Sequence, residues 1–191
     1  MELVQKGFDV YIKLLAMDDV GAIVENANDP EVARSVSAPG TFPSPYEKSD
    51  AIEFVKATIA ARKEMRGLHF GIHHVKYGLI GACTLMNIDI RNKTAEIGYW
   101  LGKVYWGQGY TKQALRLLEY LAFIELELNR LYAYTYTFNT RSSELLAGLG
   151  YSIEGLHKQA ELHGDKYVDK YAFALLKSEY ADDIKPRITE I

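Results

Sequence analysis

Cysteine is nearly missing from this chain, with Cys83 the one thiol in 191 residues. No intramolecular disulfide can form, so a fold stapled by bridges is excluded. No run of roughly 18 apolar residues occurs, and Met1-Glu2-Leu3-Val4-Gln5-Lys6-Gly7 carries an acid and no long apolar segment, so neither a membrane span nor a secretory leader is expected. Clustered positive charge is also missing. A formal net charge of −3 without a Lys/Arg run argues against nucleic acid as a direct partner, because backbone-phosphate affinity needs a concentrated cationic surface. His73 and His74 are adjacent, which on a strand aims them at opposite faces, and no matching ligand cluster follows, so no metal is expected. These absences leave a cytoplasmic protein with no membrane partner as the expectation.

What is present is ordinary for one packed unit. With 48% hydrophobic and 25% charged residues, the chain is long enough to bury a sizeable core, so residues 1–191 are expected to form a single domain with its core at about 8–176. The polar tail at 178–191, with Pro186, is expected to fray. Phe8 to Leu15 alternates as a first strand, and Asp18-Asp19 opens a helix whose apolar stripe is Val20, Ile23, Val24 and Ala27. Asn28-Asp29-Pro30 restarts a short helix. Pro39, Gly40, Pro43 and Pro45 make Ser37–Tyr46 a loop, and a long helix then runs from Ser49 or Asp50 to Gly67. His69–Val75 and Leu79–Met86 read as a hairpin turning at Lys76-Tyr77-Gly78, and a turn at Arg91-Asn92-Lys93 leads to a fourth strand. Leu131–Phe138 alternates as the fifth. A helix follows from Asn139, and two closing strands lie at about Tyr151–Glu161 and Tyr167–Leu176. The order βααα, βββ, αβαββ makes an α/β (α+β) fold with one crossover and hence one parallel strand pair.

The most informative stretch is Ala95 to Leu118. Ile97, Tyr99 and Leu101 alternate, Gly102 to Gly109 form a glycine-bearing loop, and Ala114, Leu117, Leu118, Leu121 and Ala122 follow at helical spacing near Lys112. A strand, loop and helix in that order present unpartnered amides and the positive helix end to an anion. Gly102 and Gly107 form GxxxxG, but Gln108-Gly109 stands where a nucleoside-triphosphate loop needs Lys-Ser/Thr. The third glycine of a dinucleotide site is missing as well.

The window Trp106-Gly107-Gln108-Gly109-Tyr110-Thr111 resembles the pyrophosphate loop of the GNAT N-acetyltransferases, Gln/Arg-x-x-Gly-x-Gly/Ala, with Trp106 and Thr111 departing from the pattern at its two ends. Asn92-Lys93-Thr94-Ala95-Glu96-Ile97-Gly98-Tyr99-Trp100-Leu101, then Asn139-x-x-Ser142, Gly150-Tyr151-x-x-Glu154-Gly155, Lys158-Gln159-Ala160-Glu161, Gly164 and Tyr167-x-Asp169, are similar to the ribosomal-protein alanine/serine N-acetyltransferase (RimJ/RimL-like) subgroup. The resemblance spans about Val10 to Leu176. It implies a twisted, mixed, mostly antiparallel sheet of about seven strands flanked by helices, with the fourth and fifth strands splayed apart.

The same resemblance implies acetyl-CoA as cosubstrate, its pantetheine arm at Trp100, Leu101 and Val104 and its pyrophosphate on the amides of Trp106, Gly107, Gln108, Gly109, Tyr110 and Thr111. Gly98 marks a bulge at the splay, or else relieves packing. Acyl transfer to nitrogen needs a neutral amine, an oxyanion donor, for which an N–H near Leu101 is placed, and little help for a thiolate whose thiol pKa is about 8.5. Many family members carry a tyrosine acid where this chain has Leu146. Ser142 is then the thiolate's hydrogen-bond donor, or only a helix cap. Asn139 holds a pantetheine amide, or caps the same helix. Glu96 is the candidate general base, although it can equally pair with a cation, and Gly102-Lys103 stands where the subgroup often has an acid. Glu161, Asp165 and Asp169 are candidates for an electronegative mouth. Cys83 and the Tyr132, Tyr134, Tyr136 face read as packing. The Ser37–Tyr46 loop either covers the acceptor pocket or merely connects.

The amine acceptor stays open. A protein N-terminus attacking directly in a ternary complex leads, with a small amine such as a polyamine, amino acid or antibiotic as the alternative. A noncatalytic acyl-CoA-binding module and a protein for another phosphate ligand are further readings. The resembled subgroup is often dimeric, so a homodimer is a further expectation.

Overall fold

The computed structural model describes residues 1–36 and 42–189. Among them, nine strands form one sheet: β1 (Glu2–Val4), β2 (Val10–Leu14), β3 (Gly67–His74), β4 (Gly78–Asp89), β5 (Thr94–Leu101), β6 (Arg130–Tyr136), β7 (Ser152–His163), β8 (Lys166–Leu176) and β9 (Arg187–Thr189). Their spatial order is β7-β8-β6-β5-β4-β3-β2-β1-β9. Every neighbouring pair is antiparallel except β5 and β6, whose connection crosses over through α4 (Tyr110–Tyr120). The seven longer strands are those the alternation predicts. β1 and β9 are additional, and at three residues each they are too short to carry a period.

The terminal expectation is corrected by this pairing. Arg187–Thr189 lies antiparallel on Glu2–Val4, the Lys185 N–H donates to Gln5 Oε1 at 3.0 Å, and Ile184 is buried. The described part of the tail is therefore docked. Two isoleucines, Ile184 and Ile188, pack on the main core, and the surrounding polar residues hide that signal in the sequence.

Helices cover both faces. On one, α4 presents Ala114, Leu115, Leu117 and Leu118 to Cys83, Leu85, Ile97 and Leu101. The helix is extended by a π turn over Leu121–Glu125, where the Leu126 N–H reaches the Leu121 carbonyl. On the other face, α1 (Val20–Ala27) and α3 (Lys48–Lys63) pack Val20, Ile23, Ala27, Ala51 and Val55 against Leu79 and Ala82. Between them, α2 (Pro30–Ser35) has Asp29 as its cap, accepting from the Glu31 N–H. The fifth helix, α5 (Thr140–Ala147), follows β6 directly. Of the Ser37–Tyr46 loop, residues 37–41 lie outside the described residues. Phe42 and Tyr46, at its far end, join the α1/α3 cluster.

Candidate active site

The parallel pairing of β5 with β6 lasts only three residues, Thr94↔Arg130, Ala95↔Leu131 and Glu96↔Tyr132. Beyond it, β5 stays on β4 as far as Leu101↔Gly81, while β6 follows β8 as far as Tyr136↔Lys170, so the two strands part. The Gly102 N–H donates to the Ile80 carbonyl at 2.9 Å, which sets the alternation of the β4–β5 ladder. Tyr99 and Leu101, with the carbonyl of Ile97, then turn their main-chain groups away from β4 and into the gap, the Ile97 N–H closing the last bridge to β6. The Leu101 carbonyl already accepts the Trp106 indole N–H at 2.7 Å.

Gly98 makes no bulge. It sits in register opposite Thr84, and the one shift in that ladder falls between Met86 and Asp89. A Cβ on Gly98 would meet Thr84 Cγ2 at 3.1 Å and Met86 Cε at 3.0 Å, so the residue is small because its cross-strand neighbours and the cavity take the space. The parting begins where the β5–β6 ladder ends at Glu96↔Tyr132, while β6 stays on β8 and β5 on β4.

The loop beyond β5 supplies donors. Gly107 and Gly109 have φ of 74° and 81°, the left-handed region that glycine enters without strain. The Gln113 N–H is bonded to the Gly109 carbonyl at 3.2 Å, whereas no hydrogen bond among the described residues engages the amides of Gly107 to Lys112. These donors converge at the positive end of α4. Arg141 stacks over the Trp106 ring at 4.9 Å and brings a cation to the same rim. A diphosphate fits this cradle, and an amide-bearing arm fits the unpaired edges of the gap.

A cavity of about 980 Å³ runs from this rim through the gap to the α1/α3 face. Its far end is lined by Phe42, Tyr46, Phe54, His69, Met86 and Trp100. Phe42 meets Trp100 edge-on at 5.7 Å and Phe54 meets His69 edge-on at 6.1 Å. The Thr84 hydroxyl donates to the Leu68 carbonyl at 3.1 Å, so the 2.9 Å contact to His69 Nδ1 has the imidazole as donor and leaves Nε2 as acceptor. Burial pushes the His69 pKa down to about 4, and the ring is neutral at physiological pH.

The residues singled out from the sequence fall into two groups. Glu96, Trp100, Leu101, Trp106, Gly107, Gly109, Tyr110, Thr111, Asn139 and Ser142 all line this one cavity. Val104 is 76% exposed and Gln108 turns its side chain back onto the Val104 carbonyl, so neither side chain reaches it. The short 3₁₀ turn Lys103–Tyr105 points Val104 outward. Glu96 accepts from Asn87 Nδ2 at 2.9 Å and has no cation partner among the described residues.

Asn139 is the α5 cap. Its Oδ1 accepts from the Ser142 N–H at 3.2 Å, and its Nδ2 donates to the Ser35 carbonyl at 3.1 Å, tying α5 to α2. Ser142 is one turn in, so its hydroxyl is free of capping and lies 2.8 Å from the Tyr99 hydroxyl. Tyr99 was not singled out from the sequence, because it occupies an alternating strand position that reads as core. Glu161 accepts from both Tyr136 and Lys170, the latter at 2.5 Å, and so sits in a paired network.

Parted parallel strands that feed an amide-lined helix start, with one cavity passing through the gap, define the architecture of a CoA-dependent acyltransferase. Residues 9–152 match the Acetyltransferase (GNAT) domain model. The chain belongs to the GNAT N-acetyltransferases, in the RimJ/RimL-like subgroup, and is an acetyl-CoA-dependent acyltransferase. It is 31% identical over 172 residues to the uncharacterized N-acetyltransferase p20 of Bacillus licheniformis, covering 89% of this chain and 94% of that one. It is 33% identical over 132 residues to the ribosomal-protein-serine acetyltransferase of Escherichia coli, covering 64% and 73%. The structure of RimL, a ribosomal L7/L12 α-N-protein acetyltransferase in complex with coenzyme A, superposes with a TM-score of 0.82 at 20% identity, covering 91% and 97%. That likeness shows the fold.

Proposed function

We propose that this enzyme acetylates the α-amino group of a protein N-terminus by direct attack within a ternary complex. The observation that carries the reading is the single cavity whose lining extends from the α4 loop to the aromatic α1/α3 face, leaving room for two substrates to meet in one gap. A covalent acyl-enzyme has no support. Cys83 is fully buried in the core, and burial pushes its thiol well up from the usual range.

Acetyl-CoA supplies the thioester whose carbonyl carbon accepts the amine. The amides of Gly107 to Thr111, with Arg141 and Lys112 beside them, hold the diphosphate; the Trp106 N–H, expected among them, is instead taken by the Lys103 carbonyl at 3.1 Å. Main-chain groups of Ile97, Tyr99 and Leu101 pair with the pantetheine amides, and the Leu101 N–H lies nearest the thioester oxygen. Glu96 takes the proton from the acceptor ammonium through a water. The Ser142 hydroxyl hydrogen-bonds the departing sulfur.

Charge at the far end favours one α-amino group over a polyamine. A polyamine needs several carboxylates along its length, yet Glu31 is paired with Lys103 at 2.5 Å and Glu161 with Lys170. Glu96 and Glu144 are left as the cavity-lining carboxylates without a cation partner among the described residues, too few for a chain of ammonium groups. The relationship to the ribosomal-protein-serine acetyltransferase supports the same acceptor class. Mass spectrometry after incubation with labelled acetyl-CoA and a mixture of Ser-, Ala- and Met-initiated peptides with spermidine tests it. Label on a peptide α-amine is expected; label on spermidine alone overturns the reading.

A further inference from the structure

The Tyr99 hydroxyl lies within the gap on β5, and the Ser142 hydroxyl reaches it from α5 across the opening, 2.8 Å away. The two groups come from opposite sides of the parting. The Ser142 main-chain N–H is already taken by Asn139 Oδ1, which locks the first turn of α5 and with it the direction of the serine side chain. A serine hydroxyl has one hydrogen to donate and two lone pairs to accept with. A phenol is by far the stronger acid of the two, so in the favoured arrangement the Tyr99 O–H donates to Ser142 Oγ. The serine hydrogen is then left for whatever occupies the cavity that both residues line.

We propose that Tyr99 is a positioning residue, whose hydroxyl orients and polarises Ser142 so that the serine O–H points at the sulfur of bound CoA. This rests on the placement of the CoA arm in the gap given above. The chain Tyr99 O–H to Ser142 O–H to sulfur is one of hydrogen bonds, with no proton transferred along it. Burial raises the Tyr99 pKa to about 12, above the roughly 8.5 of a thiol, so the phenol keeps its proton while the sulfur leaves as thiolate. It also supplies from β5 the phenol that Leu146 cannot supply from α5. Hydrogen bonds in series strengthen one another, so Tyr99 makes Ser142 a better donor to a thiolate than a serine alone.

The test uses the full chain and free CoA, so it needs no acceptor. The thiol of bound CoA is titrated by the ultraviolet absorbance of its thiolate, with desulfo-CoA as the blank. Tyr99 itself is silent between about pH 6 and 10, given a pKa of about 12. Charged groups lining the same stretch, Glu144 on α5 with Arg141 and Lys112 at the rim, are unchanged in the variants. The wild-type thiol is expected to titrate below that of free CoA. Tyr99→Phe should make the bound thiol roughly threefold to tenfold weaker as an acid, the scale of one lost hydrogen bond. Ser142→Ala should weaken it at least as much, and adding Tyr99→Phe to Ser142→Ala should change nothing further. Ser142→Thr keeps the hydroxyl and should restore most of the effect.

An unchanged thiol in Tyr99→Phe, or the same shift with and without Ser142, overturns the proposal. Phenylalanine keeps the ring in place, and the melting temperature checks that the variant folds. Failure of wild-type protein to bind CoA would instead sink the placement of CoA in the gap.

Discussion

Glu119→Gln is expected to raise the stability of this enzyme above neutral pH while leaving it unchanged near pH 4. Glu119 lies on α4, the helix whose first turn makes the diphosphate cradle, and is only 3% exposed. Its Oε1 is buried, as are the hydroxyls of Tyr151 and Tyr180. Burial pushes the carboxyl pKa from 4.5 up to about 8, and the Tyr151 hydroxyl beside it and the charges of Arg116 and Lys112 offset only part of the rise. Arg116 is itself paired with Asp183.

A carboxyl whose folded pKa is raised keeps its proton in the folded state after the unfolded chain has lost it. The unfolded state therefore binds fewer protons between pH 4.5 and about 8, and stability falls through that window as pH rises. At about 1.4 kcal/mol per pH unit, the loss is on the order of 3 kcal/mol by pH 7 and about 5 kcal/mol above pH 8. Glutamine fills the same volume without a charge to desolvate. For a chain of this size each kcal/mol is worth roughly 2–4 °C, so the variant should melt on the order of 10 °C higher at pH 7. Thermal melts of both proteins from pH 4 to 9 read the difference directly. A gap that stays constant across that range would refute the reasoning, since only a differential proton can make it grow.

Gly109→Ala should lower CoA affinity about tenfold and stability by about 1 kcal/mol, because a Cβ is strained at φ of 81° and the neighbouring amides re-aim; calorimetric titration with CoA checks it. His69, with a folded pKa of about 4, contributes stability that is fully present above about pH 6.5 and is lost as pH falls toward 4; its NMR titration should show no protonation above pH 5. Removing residues 184–191 takes away buried Ile184 and the β9 pairing. Denaturant unfolding should then show a loss of at least about 2 kcal/mol, whereas a frayed tail would cost nothing.

Much of the site was legible because local patterns wrote it. The Gly107-x-Gly109 loop before an apolar-periodic helix announces a cradle of free amides, and alternation in Ala95–Leu101 and Leu131–Tyr136 marks the two strands that part. Other features carry no local mark. Nothing in the chain says that β6 follows β8 after Tyr132, so the parting was implied by resemblance and Gly98 was given a bulge that it does not have. Val104 was placed on the pantetheine arm by the resemblance, and a single 3₁₀ turn points it outward.

The sequence alone therefore determined the element order, the one crossover and the loop that leads into α4, since each rests on the spacing of apolar residues and glycines a few positions apart. Tertiary structure decided that β1 and β9 close the sheet, that Asn139 caps α5, and that Ser142 meets Tyr99. Those pairings join residues tens of positions apart or more, or choose between two uses of one side chain, and only the packed sheet brings such groups within reach of a hydrogen bond.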